Sequence, residues 1–310
     1  MFRHVLTQRI LFLCAAGLCA SLLSGQQLTP EQKLQIEAAL PAKAPAKPKK
    51  PRHMLVTNLA KVNERLVRGH PSIPAANYAI EQMGKRTGAY EAVFSNDIEM
   101  FRPDKIGQFD AICFNNTQGV LFDDPELKKS LLGFITGGHG VVGFHAAIAT
   151  FVQHPVYDQW PVFGRMLGGT ENGGHPWGPA DTFTMKVDDL KSPLNAAFHG
   201  KGFEITDEVM QLQEPGLRER MHVLLSLDMD QTKAPTHALL PVRMQDKDFP
   251  LTWIRTEEKG RVFCSGMGHN PSVFWSAPLL EHFLAGIQYA LGDLKADATP
   301  SAKLAGGGKK

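Results

Sequence analysis

The chain has 310 residues, a formal net charge of +2 and four cysteines. So small a charge excess argues against a nucleic-acid surface, and so few cysteines exclude a disulfide-stapled miniature domain. There is ample chain for one large core.

The chain opens with Met1-Phe2-Arg3-His4, a second basic residue at Arg9, an apolar run from Ile10 to Leu23, and the exit Ser24-Gly25. A basic start, a short apolar middle and a small-residue exit are the anatomy of a secretory signal peptide. Residues 1–25 are therefore expected to be cleaved near Gly25 and the protein exported. The apolar run is short for a bilayer core of about 30 Å, so no stable transmembrane anchor is expected. Residues 26–51, with the Lys/Ala/Pro stretch from Pro41 to Pro51, have the composition of a flexible linker. The domain is expected over 52–294, followed by a disordered tail over 295–310.

Within the domain, His53–Thr57 reads as the first strand. Ser72-Ile73-Pro74 opens a helix running to about Thr87. Tyr90–Phe94 and Phe109–Asn115 are strand-like, the second a nearly continuous apolar run suited to burial on both faces. Asp124-Pro125 starts a helix ending at Gly137-Gly138, and Gly140–Phe144 is another buried strand. This alternation predicts an α/β fold with a doubly wound, mostly parallel sheet. The second half is richer in β-structure, with strands at Phe183–Val187, Met221–Leu227, Leu251–Arg255 and Arg261–Ser265. The segment from Pro161 to Pro179, crowded with Gly and Pro, reads as a long ordered loop. A last helix spans about Pro278 to Leu291. Cys113 and Cys264 sit inside apolar strand-like runs and read as buried thiols.

Open parallel sheets bind ligands beyond the carboxyl ends of their strands. Polar residues at such positions are His70, His145, His175, the pair Asp207-Glu208, and His269. Each histidine has an ordinary reading as a hydrogen-bonded loop residue, but glycine flanks most of them and permits close approach of backbone and ligand. Imidazoles with a carboxylate such as Glu208 could hold zinc or a related divalent metal, or act as acid and base without one. No H-E-x-x-H motif is present, so a metal site would have to be assembled from distant loops. Trp177 could pack against a sugar ring or belong to the core.

Several segments in order, G-H-P-S-I-P-A (69–75), F-D-A-I-C-F-N-N-T (109–117), G-V-V-G-F-H-A-A (140–147), G-G-H-P (173–176), I-T-D-E (205–208), P-L-T-W (250–253) and G-R-V-F-C-S-G-M-G-H (260–269), resemble the trehalose-utilisation, or ThuA-like, family. The resemblance implies a flavodoxin-like, class I glutamine amidotransferase-like fold, a small-molecule carbohydrate partner, and a divalent metal rather than a nucleotide cofactor. Amidotransferase relatives carry a cysteine nucleophile at the turn after a central strand; here His145 occupies it, and a glutaminase lacks its nucleophile. Two departures stand out: Phe249-Pro250 where many members have His-Pro, and a long loop around Thr170-Glu171-Asn172.

Taken together, these features suggest a secreted hydrolase or lyase acting on a glycoside or keto-glycoside. His145, Glu208 and His70 are the catalytic candidates; Trp177, Asn116 and Asp207 are candidates for binding substrate; His70, His145, His175 and His269 are candidate metal ligands. The competing reading is a non-catalytic carbohydrate-binding or interaction module.

Overall fold

The computed structural model describes residues 27–153, 159–171, 174–235 and 243–305. The expected signal peptide, Gly173 and the last five residues lie outside them.

The described chain begins with helix α1 (Pro30–Ala39), then strand β1 (His53–Thr57), a small hairpin of β2 (Lys61–Val62) and β3 (Arg65–Leu66), helix α2 (Ile73–Thr87) and β4 (Glu91–Phe94). Next come α3 (Pro103–Ile106), β5 (Ala111–Asn115), α4 (Pro125–Thr136), β6 (Gly140–Phe144) and α5 (Pro161–Leu167). The second half holds β7 (Thr182–Val187), β8 (Phe203–Thr206), β9 (His222–Leu227), β10 (Pro250–Glu257), β11 (Gly260–Ser265), α6 (Ala277–Ala290) and α7 (Ser301–Ala305). Among the described residues no helix is long and apolar enough to cross a membrane.

One nine-stranded sheet runs in the order β4-β1-β5-β6-β11-β10-β9-β7-β8. Its first five strands are parallel, in the spatial order of a flavodoxin-like sheet. From β11 onward every pairing is antiparallel, which is the β-rich second half expected from the sequence. Alternate residues of the parallel strands feed two different layers. Met54, Val56, Cys113, Phe144 and Phe263 join the core under α2 and α6, whereas Leu55, Ile112, Phe114, Val141 and Val262 join the core under α4. This two-residue period, with both faces covered, explains the unbroken apolar runs.

Local signals start and stop the helices where the sequence puts them. Asp124 Oδ1 accepts from the Glu126 amide at 2.8 Å with Pro125 in the first turn of α4, and Gly88 ends α2 in the left-handed region.

Three expectations are corrected. Of the segment 26–51, the described part, 27–51, is not a flexible linker. Thr29 and Gln32 form a reciprocal capping box that starts α1, and Ile36 of that helix is fully buried. The Lys/Ala/Pro stretch is then pinned along the domain, because buried Gln288 exchanges hydrogen bonds with both backbone groups of Ala46 at 2.9 and 2.7 Å. Arg52 closes this strap, bonding Asp293 at 3.0 and 2.7 Å and Asp110 at 2.9 Å. The tail over 295–310 is likewise ordered as far as it is described: His222 Nδ1 donates to the Thr299 carbonyl at 2.8 Å, and Ser301 bonds both Met221 and Val223. Finally, 161–179 is not all loop. Pro161 opens α5, whose Phe163, Met166 and Leu167 are buried, and Gly168 (φ +116°) closes it. The glycines and prolines there punctuate a helix rather than prevent one.

Candidate functional site

The carboxyl ends of β5, β6 and β11 and the loop leading into α2 meet at one place. His145, the first residue after β6, has φ +46° and starts a short 3-10 turn over His145–Ala149. A left-handed residue at a strand-to-helix turn projects its side chain out of the strand ends. The turn is tight: a Cβ on Gly143 would lie 2.9 Å from Cys264 Sγ. His70 lies in the loop before α2, and Ser72 ties that loop to the one after β11 by donating to the Gly268 carbonyl at 2.5 Å.

Three imidazoles converge there almost at right angles. His70 and His145 have ring centroids 4.8 Å apart at 87°, His70 and His269 are 5.2 Å apart at 86°, and His145 and His269 are 5.2 Å apart at 85°. Glu208 completes the group, and one ligand atom from each of the four lies within 4.8 Å of the others. Ligand atoms about 2.0–2.2 Å from a tetrahedral zinc lie about 3.3–3.6 Å apart, so the widest pair would have to close by about an ångström around an ion.

Hydrogen bonding settles which nitrogen of His145 faces inward. Its Nδ1 lies 2.9 Å from the Gly266 carbonyl, which only accepts, so Nδ1 carries the proton. Nε2 is thereby turned inward, buried without a hydrogen-bond partner, as is His70 Nδ1. Nε2 faces Glu208 Oε2 at 3.4 Å. A ring nitrogen without a hydrogen-bond partner beside a carboxylate is an arrangement that a cation between them would satisfy. Burial, reinforced by His145 and His269, pulls His70 down to about 3, which keeps it neutral. Burial alone would raise Glu208, but the facing His145 and His175 outweigh it and hold the carboxyl well below its ordinary range.

His175 stands one step outside this group. Its Nδ1 lies 3.0 Å from Glu208 Oε1 and its Nε2 lies 3.4 Å from Glu171 Oε1. Burial lowers its affinity for a proton, but the two carboxylates outweigh that and push it up to about 9. His175 therefore stands between two carboxylates at ion-pair distance, and Glu208, not His175, completes the candidate ligand set.

Residues 60–290 match the family described as trehalose utilisation. The chain belongs to the ThuA family. Its fold is similar to that of a ThuA-like protein from Bacteroides uniformis (TM-score 0.58, 18% identity, covering 78% of this chain and 93% of that one). A second ThuA-like protein, from Parabacteroides merdae, superposes with TM-score 0.54 at 16% identity, covering 80% and 93% of the two chains. A cytoplasmic protein from Salmonella typhimurium shares the fold at TM-score 0.50 and 12% identity, over 79% of this chain and all (100%) of that one. No curated protein matches the chain.

Against this ThuA frame the remaining candidates separate. Asp207 is buried and serves the loop after β11, accepting from the Gly268 amide at 2.7 Å and the Asn270 amide at 2.8 Å. It positions His269 rather than binding substrate. Trp177 is 2% exposed, packs edge-on against Phe249 at 5.3 Å, and donates Nε1 to the Lys233 carbonyl. It is a core residue with no face open to a sugar. Phe249, the departure noted before Pro250, is thus explained as its packing partner. Asn116 follows β5 with φ +56° and is fully buried; its Nδ2 donates to Asn115 Oδ1 at 3.0 Å, and its Oδ1 has no hydrogen-bond partner. Cys113 and Cys264 are buried, and burial pushes both thiols well up, away from reactivity. Glu171 was missed as a site residue; the signal available was its place four residues before His175 in the same loop. An open cleft of about 410 Å³, lined in part by Arg68, His70, Gln118 and His269, gives access to the group.

Proposed function

We propose that this ThuA-family chain is a carbohydrate-processing enzyme, a hydrolase or lyase acting on a glycoside or keto-glycoside, in which His70, His145, His269 and Glu208 hold a divalent cation such as zinc. The observation that carries the reading is the convergence of three mutually perpendicular imidazoles on Glu208, with two buried ring nitrogens lacking hydrogen-bond partners. Support for a sugar comes from the family's description as trehalose utilisation and from the polar lining of the open cleft.

A divalent cation at these ligands would supply a Lewis acid for a carbonyl or departing oxygen. The chain's own residues do the rest. The Gly266 carbonyl fixes the proton of His145 on Nδ1 and turns Nε2 inward. Asp207 holds the backbone that carries His269. His175 keeps a proton on each ring nitrogen at neutral pH, while His70 stays unprotonated beside it. Proton-donating and proton-accepting groups held apart in this way are what acid–base chemistry near neutrality requires. The reading includes export, supported by the basic start and the Ile10–Leu23 apolar run.

The test is elemental analysis of the purified chain, followed by turnover of a panel of glycosides and their keto derivatives by wild type and His145→Ala. Stoichiometric metal in wild type, lost together with turnover in the variant, is the expected result. Undiminished turnover by His145→Ala would remove its assigned role. Sugar binding without turnover across the panel would favour a binding module.

A further inference from the structure

Glu171 has no place among the four converging ligands, yet it is 3% exposed. A buried carboxylate is costly unless a partner compensates it. Its partner is His175, whose Nε2 faces Glu171 Oε1 at 3.4 Å while Nδ1 faces Glu208 Oε1 at 3.0 Å. The imidazole thus stands between the two carboxylates, within ion-pair distance of each, while Glu171 Oε1 has no hydrogen bond of its own. One oxygen of Glu208 is then tied to His175, and the other, Oε2, faces His145 Nε2.

The backbone around Glu171 is anchored to both sides of the site. Its amide donates to the Ile148 carbonyl at 3.0 Å, within the turn that begins at His145. It also forms an antiparallel bridge with Leu212, four residues beyond Glu208. Flanking bonds, Gln213 to Thr170 and Gln211 to Gly174, extend the same pairing. Glu171 is thus held in register with the two elements that bring His145 and Glu208 together.

We infer that Glu171 is a positioning residue for the cation site: through His175 it tethers Oε1 of Glu208, so that only Oε2 is presented to a cation. The inference rests on the cation reading above. A carboxylate free to rotate would offer either oxygen or both, at a cost in affinity and in a single defined geometry; outer partners of this kind are typically worth about 10–100-fold in metal affinity.

Cobalt(II) is the probe, because its visible absorption reports the number and arrangement of its ligands. Full-length wild type, Glu171→Gln and Glu171→Leu are stripped of metal, melted to compare stability, and titrated with cobalt against a chelator of known affinity. The expected order of affinity is wild type, then Gln, then Leu. Leu should weaken binding by about 10–100-fold and shift the absorption bands; Gln, which keeps a polar oxygen facing His175 but loses the charge, should fall between. A Leu variant with wild-type affinity and spectrum would overturn the inference and leave the cation reading intact. Wild type that binds no cobalt would overturn both. Should Leu fail to fold, Gln decides: weaker binding at an unchanged melting temperature supports the tether, and wild-type binding overturns it.

Discussion

In the parallel half of the sheet, His145 directly follows doubly buried β6 and His269 lies four residues past β11, while His70 comes after the β2–β3 hairpin, just before α2. In the antiparallel half, the acidic residues of the site arrive on long segments: Glu171 between α5 and β7, and Asp207 and Glu208 between β8 and β9. β8 is the edge strand farthest from β4, yet the chain leaving it returns to bond Gly268 and Asn270 beside β11. His145 and His269 are thus near-automatic consequences of where strands stop, whereas His70 is not. The carboxylates depend on how one half seats on the other.

Trp177 tests that seating most severely. It pins the 174–181 segment against β10 through Phe249, and Trp177→Ala should cost about 3–5 kcal/mol of stability, read as a lower melting temperature. Normal melting with lost sugar affinity would instead return Trp177 to the cleft and break the comparison. Asp207 joins the halves at the site itself. Asp207→Ala leaves the Gly268 and Asn270 amides without their acceptor, at about 1–3 kcal/mol each, and should weaken metal binding although Asp207 is not a ligand. Wild-type melting and metal affinity in that variant would show that the loop after β11 holds its own shape.

The seam away from the site offers a pH test. His282 of α6 is fully buried and donates Nδ1 to the Leu194 carbonyl, in the connection between β7 and β8, at 2.8 Å. Burial pulls it from 6.5 down to about 4. Between those values the unfolded chain binds a proton that the folded chain does not, so stability rises with pH across the window and is lost as pH falls through it. The full effect is about 3 kcal/mol. Urea unfolding near pH 7 and pH 4 should show this loss in wild type and a shallower one in His282→Gln. Equal slopes in the two proteins would assign the acid sensitivity to another group.

The parallel strands were legible because burial on both faces writes a continuous apolar run, as in Gly140–Phe144. His145 was legible as the residue after that run. α1 was overlooked although its capping pair, Thr29 and Gln32, is written in the sequence; the Lys/Ala/Pro stretch behind it suggested a solvated linker. The order of that stretch could not have been read locally, since Ala46 is held by Gln288, 242 residues later. For Trp177 the sequence left open a sugar contact or a place in the core, and it put Asp207 beside Glu208 after a strand; what each side chain faces depends on packing across the sheet.

By itself the sequence determined the alternating fold and the polar residues, His145 among them, that follow its strands. These follow from short-range rules: a two-residue burial period, capping residues, and a polar residue where an apolar run stops. Only the tertiary structure decided that Glu208 joins His70, His145 and His269 while His175 stands behind it. That choice depends on a nine-stranded sheet mixing parallel and antiparallel pairing, on a return segment from its far edge, and on distances of a few ångströms set by many non-local contacts at once.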